Sequence, residues 1–245
     1  MDLTVQYILS ALVVLISLSI HEFAHGYAAY KLGDPTAKSL GRLTLNPLAH
    51  IDIYGLIAMV LFRIGWAKPV PINARYFKKP KRDFAICALA GPLSNILLAF
   101  LGAFLYLLFF RLFRDVAFSS EILFNIVNNF LKFLFLFAIL NVSIAVFNSL
   151  PIPPFDGSRF IYSILPRSLY FKIMKHERRI YIFVLLWLVF GNLLANGLMS
   201  LPFAEGNAVF EVISYVISFP KLVSLVSEKL LDLIFELLLY IPFLN

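Results

Sequence analysis

A helix needs about 20 predominantly apolar residues to cross the hydrocarbon core of a bilayer. From about Leu3 to Tyr30 the chain supplies such a run, and the charged or imidazole groups inside it are confined to His21, Glu22 and His25. Ionisable groups at that depth are costly unless they serve a function. On a helix, His21 and His25 lie one turn apart on one face, so their imidazoles can converge on a metal ion while Glu22 sits close to the remaining coordination position. This is the arrangement of a zinc hydrolase, with the carboxylate as general base. The competing reading is two histidines at a helix interface that hydrogen-bond to neighbours.

The rest of the chain agrees with a membrane setting. Hydrophobic residues make up 61% and charged residues 14%, against roughly 45–50% and about 25% in soluble domains. Further spanning helices are expected from about Phe84 to Phe110, Ile122 to Asn148 and Arg179 to Leu198. The fold class predicted is therefore an all-α polytopic membrane protein, with a three-helix catalytic core, additional helices and a short re-entrant or extended membrane segment. Two stretches suit that last element. Ile53 to Phe62 is apolar but too short to span comfortably, and Trp66 to Asn73 contains Pro69 and Pro71, which forbid continuous helix and imply extended backbone. Residues 1–200 are read as a membrane-embedded domain and 201–245 as a helical tail. In that tail Glu228, Asp232 and Glu236 form one acidic stripe, which suggests a helix lying in the membrane interface, with a fifth span as the competing reading. The N-terminus lacks the basic region and cleavage site of a signal peptide, so residue 1 is expected in the mature protein.

The net charge of +7 reads as topology rather than nucleic-acid binding, because Lys and Arg accumulate on the cytoplasmic side of membrane proteins. Seven basic residues fall between Arg63 and Arg82 and six between Arg159 and Arg179, whereas Arg111 and Arg114 are balanced by Asp115 and Glu121. The first two loops are thus expected to be cytoplasmic, and the third and the N-terminus outside. A prokaryotic cytoplasmic membrane, with the site toward the cytoplasmic face, is the expected location. Cys87 is the single cysteine and reads as a small buried thiol.

Two histidines leave a tetrahedral zinc short of a third protein ligand, and Asp156 is the leading candidate. It follows three prolines in Asn148-Ser-Leu-Pro-Ile-Pro-Pro-Phe-Asp-Gly157, where a rigid turn would aim the carboxylate and Gly157 would permit an unusual backbone angle. By residue logic alone, an aspartate placed after a helix is as readily a cap or turn residue. Asn95, in Ala90-Gly-Pro-Leu-Ser-Asn95, reads equally as a polar helix-packing residue. His50 could approach the site as a substrate contact, ligand or gate, although a loop histidine more commonly bonds to nearby backbone; His176 reads as a solvated loop residue.

Taken in order, HEFAH in the first helix, Ala90-Gly-Pro-Leu-Ser-Asn95 in the second and Asn148–Gly157 closing the third resemble the site-2 protease family of intramembrane zinc metalloproteases. The segment Gly41 to Asp52 resembles its compact subgroup, without PDZ or CBS domains. The loop joining the second and third helices, only about a dozen residues long, has no room for an inserted PDZ domain. The resemblance covers about residues 10–160. It implies one zinc ion per chain held by His21, His25 and Asp156, with Glu22 as base. It further implies that Asn95 stabilises the oxyanion or holds substrate, and that Asn148 shapes the turn presenting Asp156. Ser158 departs from it, standing where many relatives have a second glycine.

The reaction expected is peptide hydrolysis within or near transmembrane segments of membrane-protein substrates, in contact with the lipid bilayer. The alternatives are a membrane metal transporter, which has no need of a base beside two helical histidines, and an inactive protease-like adaptor. Substrate identity and oligomeric state are not legible in the chain.

Overall fold

The computed structural model describes residues 3–55, 66–118, 120–200 and 208–244. Most of the short apolar stretch Ile53 to Phe62, together with Arg63, lies outside them. Among the described residues the architecture is all-α, and the β pairing present is an isolated antiparallel bridge between Ile51 and Ala67.

Helix α1 runs Leu3–Lys31 and ends where Gly33 adopts φ 106°, a conformation that needs no Cβ. Asp34 N then donates back to Ala29 O at 2.9 Å, a Schellman-type closure. A short helix α2, Thr36–Ser39, follows. Helix α3, Pro80–Phe113, starts four residues before the expected Phe84. Lys81 to Asp83 look like loop because they are charged, yet Pro80 is suited to the first helical position and Asp83 accepts from Lys79 N at 2.9 Å, as first-turn acids do. Helix α4, Glu121–Asn148, is capped by Ser120, whose hydroxyl accepts from Leu123 N. Helices α5, Asp156–Ile164, and α6, Arg167–Met174, are short. Helix α7 spans Glu177–Met199, and α8 and α9 are Ala208–Ile217 and Phe219–Leu239.

Helices α1, α3, α4 and α7 are long and apolar enough to cross a membrane. Many of their large apolar side chains face outward, among them Leu12, Leu97, Ile126 and Leu193. Such surfaces would be a liability in water, but the lipid of a bilayer covers them. Inside, small residues set the spacing: Ala99 and Ala103 of α3 and Ala138 of α4 are fully buried, which brings the two backbones close. Leu231, Ile234 and Leu238 of α9 join this same core, while the Glu228, Asp232 and Glu236 stripe is exposed on α9. The tail helix is thus packed onto α3 and α4.

Candidate metal centre

Helix α1 delivers both histidines into the bundle, where His21 is 3% and His25 6% exposed. Asp156 arrives from the other end of the chain, as the first residue of α5. The turn ahead of it is clamped by Phe155, which packs its ring on Phe147 of α4 at a centroid distance of 4.3 Å and is buried against Val184 and Leu188 of α7. Gly157 serves this turn differently from expectation. It is helical, not one of the glycines with positive φ, and what it contributes is the missing Cβ, which would collide with the Ser149 carbonyl. Ser158, the departure from the family pattern, is accommodated by its hydroxyl donating to Phe155 O at 2.7 Å. The Asn148 amide donates to Ile144 O, one turn back in its own helix.

Nε2 of His21, Nε2 of His25 and Oδ2 of Asp156 form a triangle with 3.0 Å along each side. The opposite nitrogens decide what this triangle can hold. Nδ1 of His25 lies 2.6 Å from Cys87 O, and Nδ1 of His21 lies 2.6 Å from Asn95 Oδ1. Both partners are acceptors, so both Nδ1 atoms carry the proton and, in the neutral rings, both Nε2 atoms present lone pairs. Two lone pairs and a carboxylate oxygen converging in a buried space repel one another unless a cation lies between them. Tetrahedral zinc, with bonds of roughly 2.0–2.1 Å, spaces its ligand atoms about 3.3 Å apart, close to what is found. The donor set therefore fits a zinc ion, and a helix-interface role for the two histidines does not explain it. Gly91 of α3 makes the room: a Cβ there would overlap both Nε2 atoms.

Glu22 points to a different neighbour. Its Oε2 accepts from Val70 N at 2.7 Å, so the extended segment 66–73 is tied to the residue beside the metal cluster. That segment is anchored at three amides, with Lys68 N donating to His50 O, Val70 N to Glu22 and Asn73 N to the buried Asp34. Extended backbone around Pro69 and Pro71 is what the prolines required. The Val70 contact was not legible, because it depends on a backbone amide and not on a side-chain type.

Asn95 is wholly buried with both ends of its amide engaged: Oδ1 meets His21, and Nδ2 donates to Asn141 Oδ1 at 2.8 Å. His50 follows the plain reading of a loop histidine, bonding through Nε2 to Thr44 O at 2.8 Å. His176 is exposed and bonds to Lys172 O.

Comparison with known proteins bears on this geometry. The model of peptidase family M50 matches residues 9–191, which include every residue of the metal cluster. YwhC of Bacillus subtilis (strain 168), named as a candidate zinc metalloprotease, is 41% identical over 164 residues, covering 67% of this chain and 72% of YwhC. Rip2 of Mycolicibacterium smegmatis, named in the same way, is 34% identical over 152 residues, or 58% of this chain and 52% of Rip2. Rip2 of Mycobacterium tuberculosis (strain H37Rv) is 30% identical over 149 residues, with the same coverage. The chain thus spans about half the length of the Rip2 proteins. No solved structure matches it significantly.

Proposed function

The chain belongs to peptidase family M50, the site-2 protease family, and is a zinc metalloprotease; from that premise we propose that it hydrolyses peptide bonds within or near the membrane-spanning segments of other membrane proteins. The observation that carries this reading is the convergence of two imidazole lone pairs and a carboxylate on a helix long and apolar enough to cross a bilayer. His21, His25 and Asp156 are the proposed ligands. Zinc bound there supplies a Lewis acid that polarises the scissile carbonyl and eases deprotonation of the attacking water.

The remaining steps belong to the chain. Glu22 takes the proton of the attacking water and returns it to the amide nitrogen as the carbon–nitrogen bond breaks. Val70 N–H holds one oxygen of that carboxylate and leaves the other for proton transfer. Asn95, with both amide ends engaged inside the protein, acts in this reading on His21 rather than on the oxyanion. The catalytic unit is residues 1–200, with the packed tail helices as a brace. The basic loops support a site toward the cytoplasmic side, and the bacterial relatives support a prokaryotic membrane.

A helical substrate hides its carbonyls in i to i−4 hydrogen bonds, so it must unwind locally before attack. The extended segment 66–73 is the natural surface for the unwound strand. Its link to Glu22 gives a direct test. Val70→Pro removes the N–H from a residue already flanked by prolines, and loss of one hydrogen bond to a charged group, worth about 1.5–3 kcal/mol, should lower kcat roughly 10- to 100-fold with zinc content unchanged. Unaltered kcat would show that the amide does not position Glu22.

The wider proposal is tested by comparing membrane peptides that accumulate in cells making the wild-type protein or Glu22→Gln. Fragments ending inside apolar spans and present only with the wild type are expected. Wild-type-dependent cleavage confined to soluble segments would overturn the intramembrane assignment.

A further inference from the structure

The two histidines have their tautomers set in different ways. For His25 the partner is a backbone carbonyl, Cys87 O, which can only accept. For His21 the partner is the Asn95 amide, which is nearly symmetric in shape and could present either its oxygen or its NH2. If it turned over, Nδ1 of His21 would face a donor and the proton would move to Nε2, the nitrogen that has to be free for a metal ion. Something must hold the amide in one orientation.

We propose that Asn141 of α4 is that group, a positioning residue that keeps His21 ready for zinc by fixing the orientation of Asn95. The chain of roles starts at a carbonyl and leaves no choice at any step. Asn141 Nδ2 lies 2.8 Å from Phe137 O, an obligate acceptor, so the NH2 of Asn141 must face it. The same NH2 reaches Ser17 Oγ at 2.8 Å. That turns Asn141 Oδ1 toward Asn95, where it accepts from Nδ2 at 2.8 Å; the Asn95 NH2 also reaches the Ser17 carbonyl, but at 3.5 Å, so the Asn141 bond is the shorter of the two that orient the amide. Asn95 Oδ1 is then the atom left for His21 Nδ1–H, and the Nε2 lone pair follows. These orientations come from the network as a whole. Ser17, Asn95 and Asn141 are each 0% exposed, out of reach of bulk solvent, and the relay crosses α1, α3 and α4.

This inference rests on His21 being a zinc ligand. It goes beyond that reading by assigning Asn141, the polar residue among the buried positions Leu134, Ala138, Asn141, Val142 and Ala145 of α4, to the preparation of the metal site. A purely structural role, in which the relay ties three helices together, makes a different prediction, because any lost bond in the network would then act through stability alone.

The test uses the full chain in detergent with 15N-labelled histidine, first freed of zinc. Nitrogen shifts report which ring nitrogen carries the proton. The wild type should show His21 and His25 both protonated at Nδ1. In Asn141→Leu the His21 signal should shift toward the Nε2-protonated form while His25 is unchanged, and zinc affinity in chelator competition should fall roughly 10- to 100-fold. Asn141→Ala, which adds no bulk between Ala138 and Ala145, serves the same purpose if the leucine variant does not fold. Ser17→Ala removes a bond from the same network but leaves Phe137 O to orient Asn141, so its His21 signal and zinc affinity should match the wild type. An unchanged His21 tautomer in the Asn141 variants, or an equal shift in Ser17→Ala, overturns the proposal. Failure of the underlying reading looks different: His21→Ala would then bind zinc as tightly as the wild type.

Discussion

Replacing Glu22 with Gln should leave zinc bound and lower the rate of peptide hydrolysis by a factor on the order of 10²–10⁴, the usual contribution of a positioned general base. The two side chains have nearly the same shape, and the glutamine carbonyl can still accept from Val70 N–H, so the segment 66–73 keeps its anchor on α1. What is lost is the capacity to receive a proton from the attacking water. Metal content and cleavage of a membrane-spanning peptide, measured on one purified sample, separate the outcomes. Cleavage at the wild-type rate would sink the enzyme assignment for this residue. Loss of zinc would mean that Glu22 had been holding the site together.

Much of this architecture was readable in the residues, for a physical reason. Spanning helices must satisfy their backbone internally and cover themselves with apolar side chains, so their lengths register directly in the sequence. The spans of α1, α4 and α7 differ from expectation by at most two residues at either end. The early start of α3 went unread because hydropathy is blind to capping, and Pro80 with Asp83 marks the first turn by local chemistry instead.

The site divides along similar lines. His21 and His25 are neighbours by helical spacing alone, and helix geometry predicts their meeting. Asp156 lies 135 positions beyond His21; the proline-rich turn made it a candidate, and the order of the motifs set it above a cap or turn residue. Asn141 did leave a signal, since an amide in the apolar stretch 133–142 of a spanning helix requires a partner, but its partner is set by the packing of three helices. Gly91 was visible as part of the Gly-Pro pair and its purpose was not, because a missing Cβ acquires meaning only from what occupies the space.

That space makes the second large effect turn on a single methyl group. Gly91→Ala would set its Cβ into overlap with Nε2 of both histidines. The rings have no simple retreat, because Nδ1 of His21 is tied to Asn95 and Nδ1 of His25 to Cys87 O, each at 2.6 Å, and both anchors sit on the same helix as Gly91. Helix α3 would press on the rings from the front while holding them from behind. Alanine favours helix over glycine by about 1 kcal/mol, which offsets part of an overpacking cost of roughly 1–3 kcal/mol, so α3 should persist and the damage should fall on the metal. Zinc affinity is expected to drop by roughly 10²-fold or more, beyond the usual effect of disturbing a group behind a ligand, with cleavage lost alongside it. Circular dichroism would report the retained helix and chelator competition the lost affinity. Wild-type zinc binding in a folded Gly91→Ala protein would mean that the ion does not sit between His21 and His25.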